Sequence, residues 1–318
     1  MKNHLGRPIV VPPDKKAAFS KLTRIPEYSW PAVMLAVFVV GAVIAVDVLA
    51  LSGYILLPIA CIVLSFIYYW FFSVMHDSVH RSISKDKKLN DLIGQIVTSI
   101  YAPYASLELF RWAHMEHHRF TNDEADDPDH YVHGAWWSLP FRWMTIDIYY
   151  VYRLMINDKP QAKGVLKQSL PYMVIGILIV VGLIASGYGV EYFWLWFLPS
   201  RLAFIGIGFS FFWLPHSHWP NKDYELRQSE NYTIATAVRL GKEWILNPLL
   251  QYQNYHLIHH LWPTTPFYNN QRVWKLLEPE LRLRDLAVAN DFQLVADIEF
   301  SKNASAEKST TDTRGVTS

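Results

Sequence analysis

The sequence contains a single cysteine, Cys61, and this scarcity excludes several kinds of site. One cysteine cannot form an intrachain disulfide, and it cannot supply the thiolates of a cysteine-ligated zinc or iron–sulfur centre. Cys61 also lies inside a long apolar run. Any metal that the chain binds must therefore be held by nitrogen or oxygen ligands.

Charge is also scarce, and neither sign predominates. Charged residues make up 18% of the 318, against roughly 25% in soluble domains, and 29 Lys and Arg balance 28 Asp and Glu to leave a net charge of +1. This balance does not provide the basic surface that nucleic-acid binding needs, so we expect no nucleic-acid partner. Because 51% of the chain is apolar and 15% is aromatic, the composition favours a membrane protein.

Four long apolar runs predict membrane-spanning helices, at about residues 30–51, 54–75, 169–190 and 192–215. Each run is long enough to cross about 30 Å of hydrocarbon. The short links within each pair predict two helical hairpins, and Lys and Arg concentrate before the first hairpin and between the two. By the positive-inside rule, we expect both termini to face the cytoplasm.

The spans belong to one membrane domain that we place at residues 30–300. We expect an all-α fold, with four spans and a cytoplasmic helical cap that holds a histidine-ligated dimetal site. Residues 1–29 read as a cytoplasmic N-terminal segment without a secretory signal, because they are basic and lack an apolar core. Residues 301–318 are rich in Ser, Thr and Lys, which predicts a disordered tail.

Arg201 interrupts the fourth apolar run. An arginine at this depth is either a functional group or a residue that snorkels to the outer interface. Tyr192, Trp194 and Trp196 resemble an interfacial aromatic belt, and a belt at this point would place Arg201 at shallow depth. The pattern therefore favours snorkelling.

Histidine is the unusual residue type, because most of the 13 histidines fall in three tight clusters. The i, i+3 and i+4 spacings place the imidazoles of each cluster on one helix face. Imidazoles without thiolates suit iron, copper, zinc or nickel, and eight rings exceed the coordination of one ion, so we expect two metals. The clusters are His76 and His80; His114, His117 and His118; and His256, His259 and His260.

The position of these clusters bears on their function. His76 and His80 follow the second span directly, and the other two clusters lie in segments predicted to be cytoplasmic. The site is then at the membrane face, within reach of a lipid's hydrocarbon tail. A histidine-rich metal transporter, which is an alternative from another functional class, would place its ionisable residues inside the spans. A noncatalytic membrane sensor with a structural metal is a second alternative.

The motifs HDSVH at 76–80, HMEHH at 114–118 and NYHLIHH at 254–260 resemble the three histidine boxes of the membrane fatty acid desaturase and hydroxylase superfamily. The resemblance covers about residues 30–270. It implies a non-haem diiron centre that activates molecular oxygen to attack an unactivated C–H bond. The family's further histidine, at the end of the fourth span, matches His216 best, and His218 is the alternative.

The resemblance leaves the substrate open between a fatty acyl chain, which we favour, and a carotenoid ring that is hydroxylated or ketolated. The chain shows no cofactor motif of its own for electron transfer, so a ferredoxin, cytochrome b5 or rubredoxin partner is implied. Nearby polar residues are candidates for bonding the second ring nitrogen of the ligands or a metal-bound water. They are Asp77, Glu116, Asp126, Asp127, Asp129 and Asn254.

Overall fold

The computed structural model describes residues 9–217 and 233–301, and it is mostly helical. His218 and the tail predicted to be disordered after residue 301 lie outside the described residues. The helices are α1 (Lys16–Thr23), α2 (Trp30–Leu51), α3 (Leu57–Val79), α4 (Lys87–Tyr101), α5 (Leu107–Phe120), α6 (Leu139–Met144), α7 (Ile146–Met155), α8 (Pro160–Ala185), α9 (Gly189–Tyr192), α10 (Leu198–Ile207), α11 (Glu243–Leu249), α12 (His256–Leu261) and α13 (Asn270–Leu281).

Four helices are long and apolar enough to cross a membrane, as the sequence predicts. They are α2, α3, α8 and a composite helix, Gly189–His216, that contains α9 and α10. The third of them begins at Pro160 rather than near Ser169, because its first turns are polar and extend beyond the apolar run. The composite helix includes two π-helical segments, Phe193–Phe197 and Gly208–Trp213.

The described residues form two compact units, of which the first consists of Ile25–Arg119 and Glu124–Trp213. In this helical unit α3 is central, because α2, α4 and α10 all pack against it. Phe72 of α3 stacks on Phe211 with the ring centroids 3.9 Å apart, and both rings are buried. Between helices in a membrane, close van der Waals packing of this kind is what stabilises the contact. This packing fixes the end of α3 that carries the first histidine cluster.

Arg201 does not snorkel to an interface. Its guanidinium forms two parallel hydrogen bonds with the Asp147 carboxylate, at 2.9 and 2.8 Å, and both side chains are no more than 10% exposed. The same group donates to the Met144 carbonyl at 2.9 Å and to the Tyr104 hydroxyl at 2.8 Å. The interpretation based on the aromatic belt, that Arg201 snorkels, is therefore wrong. The arginine is a buried structural group that ties α10 to α7.

Gly176 of α8 lies against the backbone of Tyr104. A Cβ atom at this glycine would lie 2.7 Å from the Tyr104 Cα, whereas Gly182 of the same helix has nothing within 4 Å. Because a backbone atom cannot move aside cheaply, we expect Gly176→Ala to destabilise the protein by about 1–3 kcal/mol. Thermal unfolding in detergent measures the change. Gly182→Ala is the matched control, and an equal loss of stability in both variants would contradict the contact.

Within the described residues, the second unit consists of residues 9–24, 120–123, 214–217 and 233–301. This mixed unit departs from the all-α expectation, because it contains a three-stranded sheet of order β1 (Val238–Leu240), β2 (Leu286–Asn290) and β3 (Asp297–Glu299). Strands β1 and β2 are parallel, with Val238 opposite Val288, and β2 and β3 are antiparallel. The strands are too short for their hydrophobic pattern to distinguish them from buried helical turns.

The core of the mixed unit brings the sheet together with α12 and α13. Tyr255, Trp274 and Val288 are each no more than 1% exposed in this cluster. The α1 helix adds Phe19, which packs edge-on against Trp262 with the ring centroids 5.0 Å apart. The third histidine cluster therefore lies on a short helix that is fixed by a hydrophobic core behind it.

Candidate metal centre

In the helical unit, the first two histidine clusters converge. His76 and His80 lie at the end of α3, and His114 lies on α5. The ligand nitrogens of these three rings are within 4.8 Å of one another, and each ring is no more than 8% exposed. Three buried nitrogen donors at this separation form a chelating set for one metal ion.

His118 belongs to this group because it lies next to His114 on the same helix, α5. Its Nε2 atom lies 3.1 Å from the Nε2 atom of His114, and its ring centroid lies 4.9 Å from that of His80. Burial, followed by the neighbouring histidines, holds the pKa of His114 well below its usual value. A neutral imidazole keeps its lone pair, which a metal ligand needs.

His117 is oriented by two carboxylates. Its Nδ1 atom lies 3.0 Å from both oxygens of Asp127 and 3.6 Å from an oxygen of Asp129. Burial lowers the pKa of His117, but the two carboxylates outweigh it and raise the pKa to about 9. The carboxylates keep a proton on Nδ1, so a metal that binds His117 would displace the proton on Nε2. Two other carboxylates that were candidates for bonding the second ring nitrogen of a ligand are placed differently. Glu116 pairs with Arg119 at 3.0 Å, and the Asp126 side chain is exposed.

In the mixed unit, the third cluster converges with His216. The ligand nitrogens of His216, His256 and His260 lie within 4.8 Å of one another, and the Nε2 atoms of His256 and His260 are 3.2 Å apart. The His259 ring centroid lies 5.2 Å from that of His256. All four rings are buried, so this unit presents a second chelating set.

Neutral groups orient the rings of this second set. The Nδ1 atom of His256 lies 3.0 Å from Gln253 Oε1, and that of His216 lies 3.2 Å from the Ala235 carbonyl. The His260 Nδ1 atom lies 3.5 Å from the Thr121 hydroxyl. The sequence analysis missed all three partners. Of the three, only Gln253 could have been suspected from the sequence, because it lies three residues before His256.

Three further polar residues make defined contacts in the structure. The Asn254 amide donates to the Arg239 carbonyl at 3.3 Å and to Asn247 Oδ1 at 3.0 Å, so it ties β1 and α11 to the approach to α12. His130 and His133, which lie outside the boxes, contact each other with their ring centroids 5.5 Å apart.

The donor chemistry fits a pair of first-row transition metal ions. Each unit offers a set of buried imidazole nitrogens, and no thiolate takes part in either set. Nitrogen-rich sites of this kind suit iron, and a softer, thiolate-preferring metal would find no sulfur ligand here. The hydrogen bonds to Nδ1 complete the pattern, since ligating histidines in proteins almost always donate their other ring N–H.

An apolar cavity of about 60 Å³ lies beside the first histidine set, inside the helical unit. Met75, which precedes His76, lines it, and so does Phe110, whose ring centroid is 5.8 Å from that of His114. Cavities lined by apolar and aromatic side chains bind apolar ligands. Its other lining residues include Phe72, Tyr101, Tyr150 and Phe204.

Curated relatives of the chain fall into two groups of oxidoreductases. A beta-carotene ketolase of Paracoccus sp. is 30% identical over 200 residues, which cover 62% of this chain and 70% of that protein. An sn-1 oleoyl-lipid 12-desaturase of Anabaena variabilis is 35% identical over 100 residues, 31% of this chain and 27% of that protein. An sn-1 acyl-lipid omega-3 desaturase (ferredoxin) of Nostoc sp. is 24% identical over 262 residues, 72% and 69% of the two chains.

A match to one protein family covers most of the chain. The model for fatty acid desaturases matches residues 52–290, a range that holds all three histidine clusters and three of the four membrane-length helices. The buried histidine sets and the membrane-length helices are the features that such a membrane oxidoreductase needs. The chain is therefore a membrane protein that belongs to the fatty acid desaturase family.

Proposed function

We propose that the chain is an oxygen-dependent diiron oxidoreductase that introduces a double bond into a fatty acyl chain of a lipid or thioester. The observation that carries the proposal is the presence of two converging sets of buried imidazole nitrogens, one in each unit. Each set would hold one iron. The proposed ligands are His76, His80, His114, His117, His118, His216, His256, His259 and His260.

When bound, the iron pair supplies the reductive activation of molecular oxygen for attack on a C–H bond. The protein's own residues do the rest. The cavity beside His76 and His114 holds an apolar chain and excludes water from it. The buried partners of the ligands, such as Asp127 on His117, keep the ring nitrogens aimed at the metal.

The acyl assignment is supported by the form of the third box, NYHLIHH, and by the two acyl-lipid desaturases among the relatives. The cavity suits this substrate, because it is lined mainly by apolar and aromatic side chains. A flexible hydrocarbon chain can fill such a space without a specific polar partner.

Carotenoid ring hydroxylation or ketolation is the second candidate. It is favoured by the beta-carotene ketolase of Paracoccus sp., which aligns with this chain over 70% of its own length. Both reactions need the same histidines and the same oxygen chemistry. They differ in how the cavity holds the substrate, and in whether the substrate radical loses a second hydrogen to form a double bond or is trapped by hydroxyl.

The proposed enzyme takes its electrons from a separate protein of the ferredoxin, cytochrome b5 or rubredoxin type. One desaturase relative carries ferredoxin in its name, which supports that class of donor. We propose that the metal site and both termini face the cytoplasm, where such a donor is present. A metal-transporter function has less support, because the relatives described above are oxidoreductases.

Product analysis in a host that makes both saturated-rich lipids and β-carotene tests the substrate. We expect new monounsaturated acyl chains in cells that express the wild-type chain, and none in cells that express His118→Ala. Gas chromatography of the lipids and liquid chromatography of the pigments measure both outcomes in one culture. Unchanged fatty acids together with hydroxylated or keto carotenoids would overturn the acyl assignment and support the second candidate.

A further inference from the structure

Tyr150 of α7 borders the apolar cavity and also reaches the metal-ligand region. Its ring lines the cavity, and the residue is 4% exposed. Its hydroxyl donates a hydrogen bond to the Asp129 carboxylate. One side chain therefore contacts both the space for the substrate and a carboxylate beside a proposed iron ligand.

Asp129 lies next to His117 and next to Asp127, the carboxylate within hydrogen-bond distance of His117. Asp129 Oδ2 lies 3.6 Å from the His117 Nδ1 atom, and the Asp129 backbone N–H donates to Asp127 Oδ1 at 2.8 Å. Asp127 itself lies 3.0 Å from the same Nδ1 atom. Both carboxylates are 2% exposed, so water does not screen these contacts.

This arrangement sets His117 apart from three of the other proposed ligands. Gln253, Thr121 and the Ala235 carbonyl, which orient the rings of the second set, are all neutral. A carboxylate that accepts an imidazole N–H gives the ring some imidazolate character, and the ring then donates more electron density to its metal. Asp129 is beyond hydrogen-bond distance of His117 and acts on the ring through its negative charge, and a hydroxyl donor on Asp129 withdraws part of that charge.

We propose that Tyr150 is a positioning residue that raises the reduction potential of the iron bound by His117, because its hydroxyl moderates the charge of Asp129. This inference rests on the function proposed above, since it needs an iron at His117. Tyr150, a residue of the cavity wall, then tunes the metal and also helps to hold the substrate.

Tyr150→Phe removes the hydroxyl and keeps the ring that shapes the cavity. We expect this variant to bind iron as the wild type does and to show a lower reduction potential in spectroelectrochemical titration. Its turnover should fall by about 10- to 100-fold, the range typical of a lost outer partner, while KM for the substrate stays unchanged. Tyr149→Phe is the matched control, since the Tyr149 hydroxyl accepts from Arg153 rather than contacting Asp129.

A double-variant cycle separates this role from a general packing effect. Asp129→Asn removes the charge that Tyr150 moderates, so adding Tyr150→Phe to it should produce no further change in potential. An unchanged potential in Tyr150→Phe, or an equal effect of Tyr150→Phe in the Asp129→Asn background, would overturn the proposal.

Cobalt(II) substitution distinguishes this proposal from the function on which it rests. If the wild type binds no iron, the proposed function fails, but the ligand-field bands of bound cobalt still report how strongly His117 donates. Tyr150→Phe should shift those bands to higher energy relative to wild type and to Tyr149→Phe. Identical cobalt spectra in all three proteins would overturn the role of Tyr150.

Discussion

Replacement of His118 by alanine should reduce turnover by more than about 100-fold, beyond the range expected for the loss of an outer partner. The reason is that the His118 Nε2 atom lies 3.1 Å from that of His114, so the variant leaves a proposed iron site short of a donor. Elemental analysis should find about two irons per wild-type chain and fewer in the variant. The same result is expected for alanine at His76, His80, His114, His117, His216, His256, His259 and His260.

His130→Ala is the control for this series, because His130 is half-buried and contacts His133 instead of a box histidine. It should keep its iron and its activity. Wild-type turnover in two of the nine alanine variants would refute a shared site, and one zinc without iron in the wild type would refute a diiron centre. An active His216→Ala beside an inactive His218→Ala would transfer the ninth ligand to His218.

Arg201→Met should lower the free energy of unfolding by about 3–5 kcal/mol, because it leaves the Asp147 carboxylate buried without its cation. Asp147 is held by the arginine through two hydrogen bonds, and its remaining side-chain donor, Tyr104, is uncharged. Unfolding of the purified protein in mixed micelles, followed by loss of helical circular dichroism, measures the change.

The double variant Arg201→Met with Asp147→Leu should recover most of that stability, since replacing a whole buried ion pair with apolar residues is often neutral. Arg282→Met is the control at an exposed ion pair with Glu278, and it should cost less than about 1 kcal/mol. Equal effects of Arg201→Met and Arg282→Met would show that burial of the Asp147 pair contributes nothing.

The sequence predicts the parts of the site that depend on local spacing. His114 and His118 meet because residues four apart share a face of any helix, and no knowledge of the fold is needed to place them together. The four membrane-length helices are predictable for a similar reason, because each is encoded by one continuous apolar run.

The sequence does not predict the contacts between residues that are far apart along the chain. Tyr150 and Asp129 are separated in sequence by a segment that includes α6, and no sequence motif near either residue predicts their contact. Arg201 finds Asp147 through the packing of α10 against its neighbours, whereas the residues near it in sequence suggested an interface. Such partners depend on tertiary geometry, which no short motif contains.

The parallel pairing of β1 with β2 also constrains the order of events during biosynthesis. Once His260 has been added to the nascent chain, all nine proposed ligands have been synthesised. Strand β2, which begins at Leu286, has not yet been synthesised at that point. The segment from β1 to β2, which carries α12, is therefore an open loop on the nascent chain until its closing strand is synthesised. We therefore expect the third histidine cluster to reach its folded position only after translation has passed β2, so that loading of the proposed iron at this cluster would follow the synthesis of that strand.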